Sequence, residues 1–111
     1  MLKKVLEIQE AKLTHITDKP GKLKVISVCI VPSGGWSSPQ LIPYVYLNPP
    51  SDGIYDFDLV AKAPAPEAAV IRITTPMTCT SSVENIPDDL KGIKIHTSTN
   101  AIVVLLEPKS D

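Results

Sequence analysis

The sequence predicts an all-β fold: a single-domain, two-sheet antiparallel sandwich, immunoglobulin-like, of about seven strands over residues 1–111. Three observations predict it. Eleven prolines and five glycines cut the chain into short apolar runs, a punctuation that long amphipathic helices would not survive. Several of those runs alternate apolar and polar residues, the period of a strand with one wet face. Turn signals recur about every 8–12 residues, the spacing of a sandwich. A small closed barrel fits the same pattern and is the alternative.

The elements follow in order. Residues 4–16 carry two patterns. Val5, Leu6, Gln9 and Leu13 fit a helix face, whereas Ala11, Leu13 and His15 fit alternation. The phase slips near Gln9, which favours a strand with a bulge there. Asp18-Lys19-Pro20-Gly21 reads as a turn. Lys22 to Val31 is a strand, apolar on both faces towards its end, as for a central strand. Pro32 to Pro39 is a loop. Leu41 to Leu47 is a short strand that Pro43 confines to an edge.

Asn48-Pro49-Pro50-Ser51-Asp52-Gly53 is a strong turn. In Ile54 to Ala61, Tyr55, Phe57, Leu59 and Ala61 face one way and Asp56 and Asp58 the other. Pro64-Ala65-Pro66 is a stiff connector. Ala69, Ile71 and Ile73 suggest a strand that Pro76 interrupts and Met77 to Thr80 resume. Ser82 to Asp89 reads as a loop, with a helical turn near residues 87–90. Gly92 to Thr97 is a strand with Ile93 and Ile95 inside. Ala101 to Glu107 is the last, apolar on both faces and therefore expected to be buried on both. Residues 97–100 form a tight turn or a bulge.

Composition sets the functional limits. The chain has 11 basic and 12 acidic residues, a net charge of −1, with 43% hydrophobic residues; this is a globular composition, not a disordered one. At this size about two thirds of the chain's surface is buried on folding, so no metal or disulfide staple is required. Residues 1–24 carry six lysines and three acids, a mild patch only. Ten lysines stand against a single arginine, Arg72, and nucleic-acid recognition favours the guanidinium fork. No window is long and apolar enough to span a membrane. Met1-Leu-Lys-Lys looks like the start of a leader, but Glu7, Gln9 and Glu10 break the apolar run that a leader needs. A cytoplasmic location is the expectation for the chain as it stands, and a periplasmic or exported one if a leader was trimmed.

Several constellations bear on chemistry. Cys29 and Cys79 each fall in or near a strand, and in a sandwich such a pair can bridge the sheets. The loop so closed would contribute roughly 4 kcal/mol in an oxidising compartment; in a reducing one both are small buried hydrophobes. Together with Met77 and His96 they suggest a copper or zinc site, since soft sulfur favours copper(I). His15 and His96 have no cysteine near them at zinc-finger spacing. Asp52, Asp56 and Asp58 invite calcium, but two of them lie on a strand and cannot wrap an ion, so a solvated face is the expectation.

Motifs for hydrolases and phosphate loops are absent. A serine hydrolase built on Ser33, Ser37 or Ser38 would need His15 or His96 delivered by the fold. No catalytic residue, cofactor or metal ligand is therefore assigned. The leading expectation is a non-enzymatic binding module. Its surface would carry Trp36, Pro39, Tyr44, Tyr46 and Pro50, because aromatics set by stiff prolines anchor partners at low entropy cost. The plainer reading is that these side chains fill the end of a small core. The expected partner is a protein or small ligand, and a homo-oligomer is compatible with the same surface.

Two stretches, Ser33-Gly34-Gly35-Trp36-Ser37-Ser38-Pro39-Gln40-Leu41 and Asn48-Pro49-Pro50-Ser51-Asp52-Gly53-Ile54-Tyr55-Asp56-Phe57-Asp58, lie within about a quarter of the chain. They resemble a group of small bacterial proteins, often exported, with an expected β-sandwich fold and no known activity. The resemblance implies that fold and a bacterial source, and no reaction.

Overall fold

The N-terminal segment makes both sheets. In the computed structural model, which describes residues 2–15, 22–48, 50–83 and 90–106, it starts as a short strand, Leu2–Lys4 (β1), and continues as Glu7–His15 (β2). Between them the chain changes sheets. Val5 N–H donates to the Leu59 carbonyl of one sheet (3.1 Å), and Leu6 N–H donates to the Ile30 carbonyl of the other (3.0 Å). The expected bulge is present: pairing of β2 with the next strand slips between Ile8 and Glu10, leaving Gln9 as the extra residue. The bulge lets Ile8 and Leu13 both reach the core across the slip. The helical alternative for residues 4–16 is overturned, and no helix occurs among the described residues.

The remaining strands are Leu23–Val31 (β3), Ser37–Pro43 (β4), Ile54–Lys62 (β5), Thr75–Val83 (β6), Gly92–His96 (β7) and Ala101–Leu105 (β8). They make a sandwich of eight strands. One sheet is three-stranded and antiparallel, in the order β2-β3-β6. The other is five-stranded and runs β1-β5-β7-β8, with β4 also paired to β5. This second sheet is mixed, not purely antiparallel, because β5 and β7 are parallel. The sheets do not close into a barrel. Between them lies an aliphatic core: Ile8, Leu13, Leu23, Val25, Cys29 and Val31 from one side, Phe57, Leu59, Ala61, Ile93 and Ile95 from the other.

Three elements depart from expectation. β4 spans Ser37–Pro43, so it begins inside the loop expected at Pro32 to Pro39 and ends before Tyr44, not at Leu47. Residues 69–74 are not a strand; β6 begins at Thr75, runs through Pro76 and ends at Val83. Proline is tolerated there because β6 is an edge strand, where one missing N–H costs no ladder bond on the open side. The same rule places Pro39 and Pro43 on β4. β8 is not buried on both faces. It too is an edge, with Val103 and Leu105 52% and 65% exposed. Residues 97–100 form the tight turn, closed by Thr97 N–H to the Asn100 carbonyl at 2.9 Å. The turn expected at residues 18–21 and the helical turn near 87–90 fall on segments that lie, apart from Leu90, outside the described residues.

Candidate binding face

Alternation along β5 turns Phe57, Leu59 and Ala61 inward and leaves Asp56 and Asp58 on the outer face of the five-stranded sheet. The parallel register sets Lys94 beside Asp56 and His96 beside Asp58. The chain after β4 continues along β5, with Tyr44 N–H donating to the Asp56 carbonyl at 3.0 Å. Three segments, β5, β7 and the chain after β4, thus deliver side chains to one place.

Hydrogen bonds then fix them. Tyr44 Oη donates to Asp58 Oδ1 at 3.0 Å. Tyr46 Oη donates to Asp56 Oδ2 at 2.6 Å and accepts the Asp56 N–H at 2.7 Å. His96 Nε2 lies 2.8 Å from Asp56 Oδ1. An ionised carboxylate only accepts, so Nε2 carries the proton in this pair. The Tyr44 and His96 rings stack with centroids 5.2 Å apart and planes 22° apart. Tyr46 meets Tyr55 edge-on at 5.7 Å. Lys4 Nζ stands 3.5 Å from Asp58, an exposed pair of small energetic weight.

The electrostatics are consistent with this geometry. Burial works to raise the Asp56 carboxyl, but hydrogen bonds from His96 and Tyr46, and the charges of His96 and Lys94, outweigh it and hold the group below its ordinary 3.8. Burial, then the bonded carboxylates, push both Tyr44 and Tyr46 up, so both hydroxyls stay donors at neutral pH.

This carries a pH prediction. Asp56 has a lower pKa folded than unfolded, so its contribution to stability is complete above about 3.8 and is lost as pH falls through the folded value. In urea titrations, the stability advantage of the wild type over Asp56→Asn should be present above about pH 3.8 and shrink as pH falls below it. An advantage unchanged down to pH 2 would contradict the network.

The five residues expected to form one surface are divided. Tyr44 and Tyr46 meet through the two aspartates. Trp36 and Tyr44 precede and follow β4, on the order of 25 Å apart along an extended chain. Trp36 is half-buried and packs against the core. Pro39 lies half-buried within β4. The Pro50 carbonyl closes a turn by accepting Gly53 N–H at 3.3 Å. The sequence had no signal for His96 as a partner of Asp56, because that contact depends on long-range parallel register.

The other constellations separate as well. Cys29 and Cys79 do not span the sheets. They sit on the inner face of adjacent strands of one sheet, where Cys29 opposes Met77 and Cys79 opposes Ser27. Such diagonal neighbours are about 7–8 Å apart, beyond ordinary disulfide reach, and both thiols are free and buried. Burial, helped by Cys79, pushes the Cys29 thiol up to about 11.

His96 lies on the outer face of the opposite sheet, so the sulfur group of Cys29, Met77 and Cys79 lacks the nitrogen ligand expected for it. Ser37 pairs with Lys62, about 13 Å along β5 from the position beside His96, and Ser33 Oγ donates to the Gly34 carbonyl. The loop serines therefore do not meet that histidine, and the His15 side chain lies outside the described residues. Asp52 is used locally, accepting the Ile54 N–H at 3.0 Å.

Comparison of the chain with protein-family models, with curated proteins and with solved structures gives no match. The functional reading therefore rests on geometry.

Proposed function

We propose that the chain is a non-enzymatic binding module that presents the outer face of its five-stranded sheet, centred on Tyr44, to a protein partner. The observation that carries this reading is the pre-assembled network of Tyr44, Tyr46, Asp56, Asp58 and His96. A wet sheet face needs no such network for folding. One that locks two tyrosine rings removes the entropy cost a partner would otherwise meet in ordering them.

Apolar surface adjoins the network. Val45 and Leu47 are 98% and 102% exposed, and Ile42 is exposed beside Tyr44. A polar cluster flanked by exposed aliphatic side chains is the composition of a protein-binding patch.

The test is affinity capture from native extract with wild type and Tyr44→Ala in parallel, followed by titration of each purified captured protein. Tyr44 is 39% exposed, bonded to Asp58 and stacked on His96, so the melting profile of the variant is measured alongside to separate lost anchoring from lost folding. A partner that binds wild type and loses about tenfold or more in affinity with Tyr44→Ala supports the reading, the scale expected of an anchoring aromatic. Equal binding to both proteins overturns it.

A further inference from the structure

Every sheet edge in the described structure carries a device against pairing with another strand, except one. β1 carries Lys3 and Lys4. β4 carries Pro39 and Pro43, and its register is broken between Ser37 and Gln40, where Ser38 has a positive φ of 52°. β2 carries the bulge at Gln9 and the charges Glu7, Glu10 and Lys12. β6 carries Pro76. Charges, prolines and bulges are the means by which open edges are kept from associating. β8, Ala-Ile-Val-Val-Leu, is also an edge and has none of them.

Its open side is also well formed. Leu106 N–H donates to the Lys91 carbonyl (2.8 Å), and the Asn100 carbonyl accepts from Thr97. Even-numbered residues therefore face β7. The alternation of an antiparallel ladder turns the N–H and C=O groups of Ala101, Val103 and Leu105 to the open side.

We propose that β8 is a homodimerisation edge, pairing antiparallel with β8 of a second copy about a two-fold axis through Val103. The strand is self-complementary about that point. Val103 is its central residue and faces outward from the ladder, so it meets its own counterpart, and Ala101 meets Leu105 of the other copy, small against large. The three pairs would make six main-chain hydrogen bonds and join two five-stranded sheets into one.

Val103 and Leu105, now mostly in water, would be covered along the seam. No charged side chain lies on β8. The two Lys94, each opposite Val103, would stand three strand spacings or about 14 Å apart across the seam, beyond the screening length at physiological salt. That complementarity favours a second copy over an unrelated strand. This inference does not rest on the reading of the Tyr44 face, although the two adjoin: His96, on which Tyr44 stacks, is paired with Ala101 of β8.

The experiment is sedimentation equilibrium from low micromolar to near-millimolar concentration. Wild type should show a reversible monomer–dimer equilibrium. Val103→Lys and Val103→Glu should each raise the dissociation constant by about tenfold or more, because like charges then face each other on the axis. An equimolar mixture of the two should recover a heterodimer, since only the two-fold register sets position 103 opposite itself.

Amide exchange on wild type provides a readout that needs no variant: the Ala101, Val103 and Leu105 amides should gain protection as concentration rises. A wild type that stays monomeric overturns the proposal and leaves the edge to a strand from another protein. A dimer unaffected by both charges, or a mixture that shows no rescue, overturns the β8 interface or its register.

Discussion

Replacing Asn100 with Ala is expected to cost about 3 kcal/mol of stability, one of the two largest effects of any substitution considered. The side chain acts as a length of backbone. Its Oδ1 accepts the Ile8 N–H at 3.0 Å, and its Nδ2 donates to the Ile8 carbonyl at 2.9 Å. Ile8 itself is 2% exposed, so truncation leaves two main-chain groups without partners where water has poor access. Each such group costs about 1–3 kcal/mol.

The bond matters because of where it falls. β2 and β8 are edges of different sheets, and nothing in either ladder joins them. Asn100, with Ser98 and Thr99 N–H donating to the Val5 and Leu6 carbonyls at 2.9 and 3.0 Å, ties the β7–β8 turn to the segment that changes sheets. Thr97 Oγ1, 2.6 Å from Asn100 Oδ1, fixes the amide from the other side. Asn100→Asp should be no milder at neutral pH. It keeps the acceptor and loses the donor, setting a carboxylate oxygen against the Ile8 carbonyl. Urea denaturation of the three proteins measures this; a cost below about 0.5 kcal/mol for both variants, the range of an ordinary surface position, would remove the stitching role.

What the sequence disclosed, and what it withheld, follows from the range of the interactions involved. The period of two along β3, β5 and β7 is local, and it marked the inner faces correctly. Gln9 was visible as a bulge because it shifts the phase of its neighbours. The change of sheets at Val5 and Leu6 was not, since apolar residues stand on both sides of it. Pro76 looks like an interruption, but whether a proline breaks a strand depends on which side of the sheet is open, and that is decided by distant partners.

β8 is ambiguous in the sequence for the same reason. A run that is apolar on both faces has two explanations, full burial or an edge awaiting a partner, and only the strand order separates them. At the candidate face, Asp56 and Asp58 were legible as a wet stripe. Their partnership with Tyr44, Tyr46 and His96 was not, because it is set by the parallel pairing of segments far apart in the chain.

The second large effect is expected at Gly92. The residue is buried at the start of β7, opposite Leu105. A Cβ placed there would lie 2.6 Å from the Val104 carbonyl oxygen and 3.1 Å from Leu105 Cα. Both are backbone atoms of β8, so no side-chain rotation relieves the contact; the strands must separate. Gly92→Ala is therefore expected to cost about 1–3 kcal/mol, the range for overpacking, and to lower the melting temperature by about 4 °C or more.

The sign is informative, because intrinsic preference runs the other way. Glycine inside a strand is less favourable than alanine by about 0.5–1 kcal/mol, and the φ of Gly92 does not lie in the left-handed region, so only the close approach can make the substitution harmful. A stabilised Gly92→Ala would mean that β8 yields at this end. A destabilised one would mean that its backbone is held rigidly against β7, with Ala101, Val103 and Leu105 set at fixed spacing along the open edge.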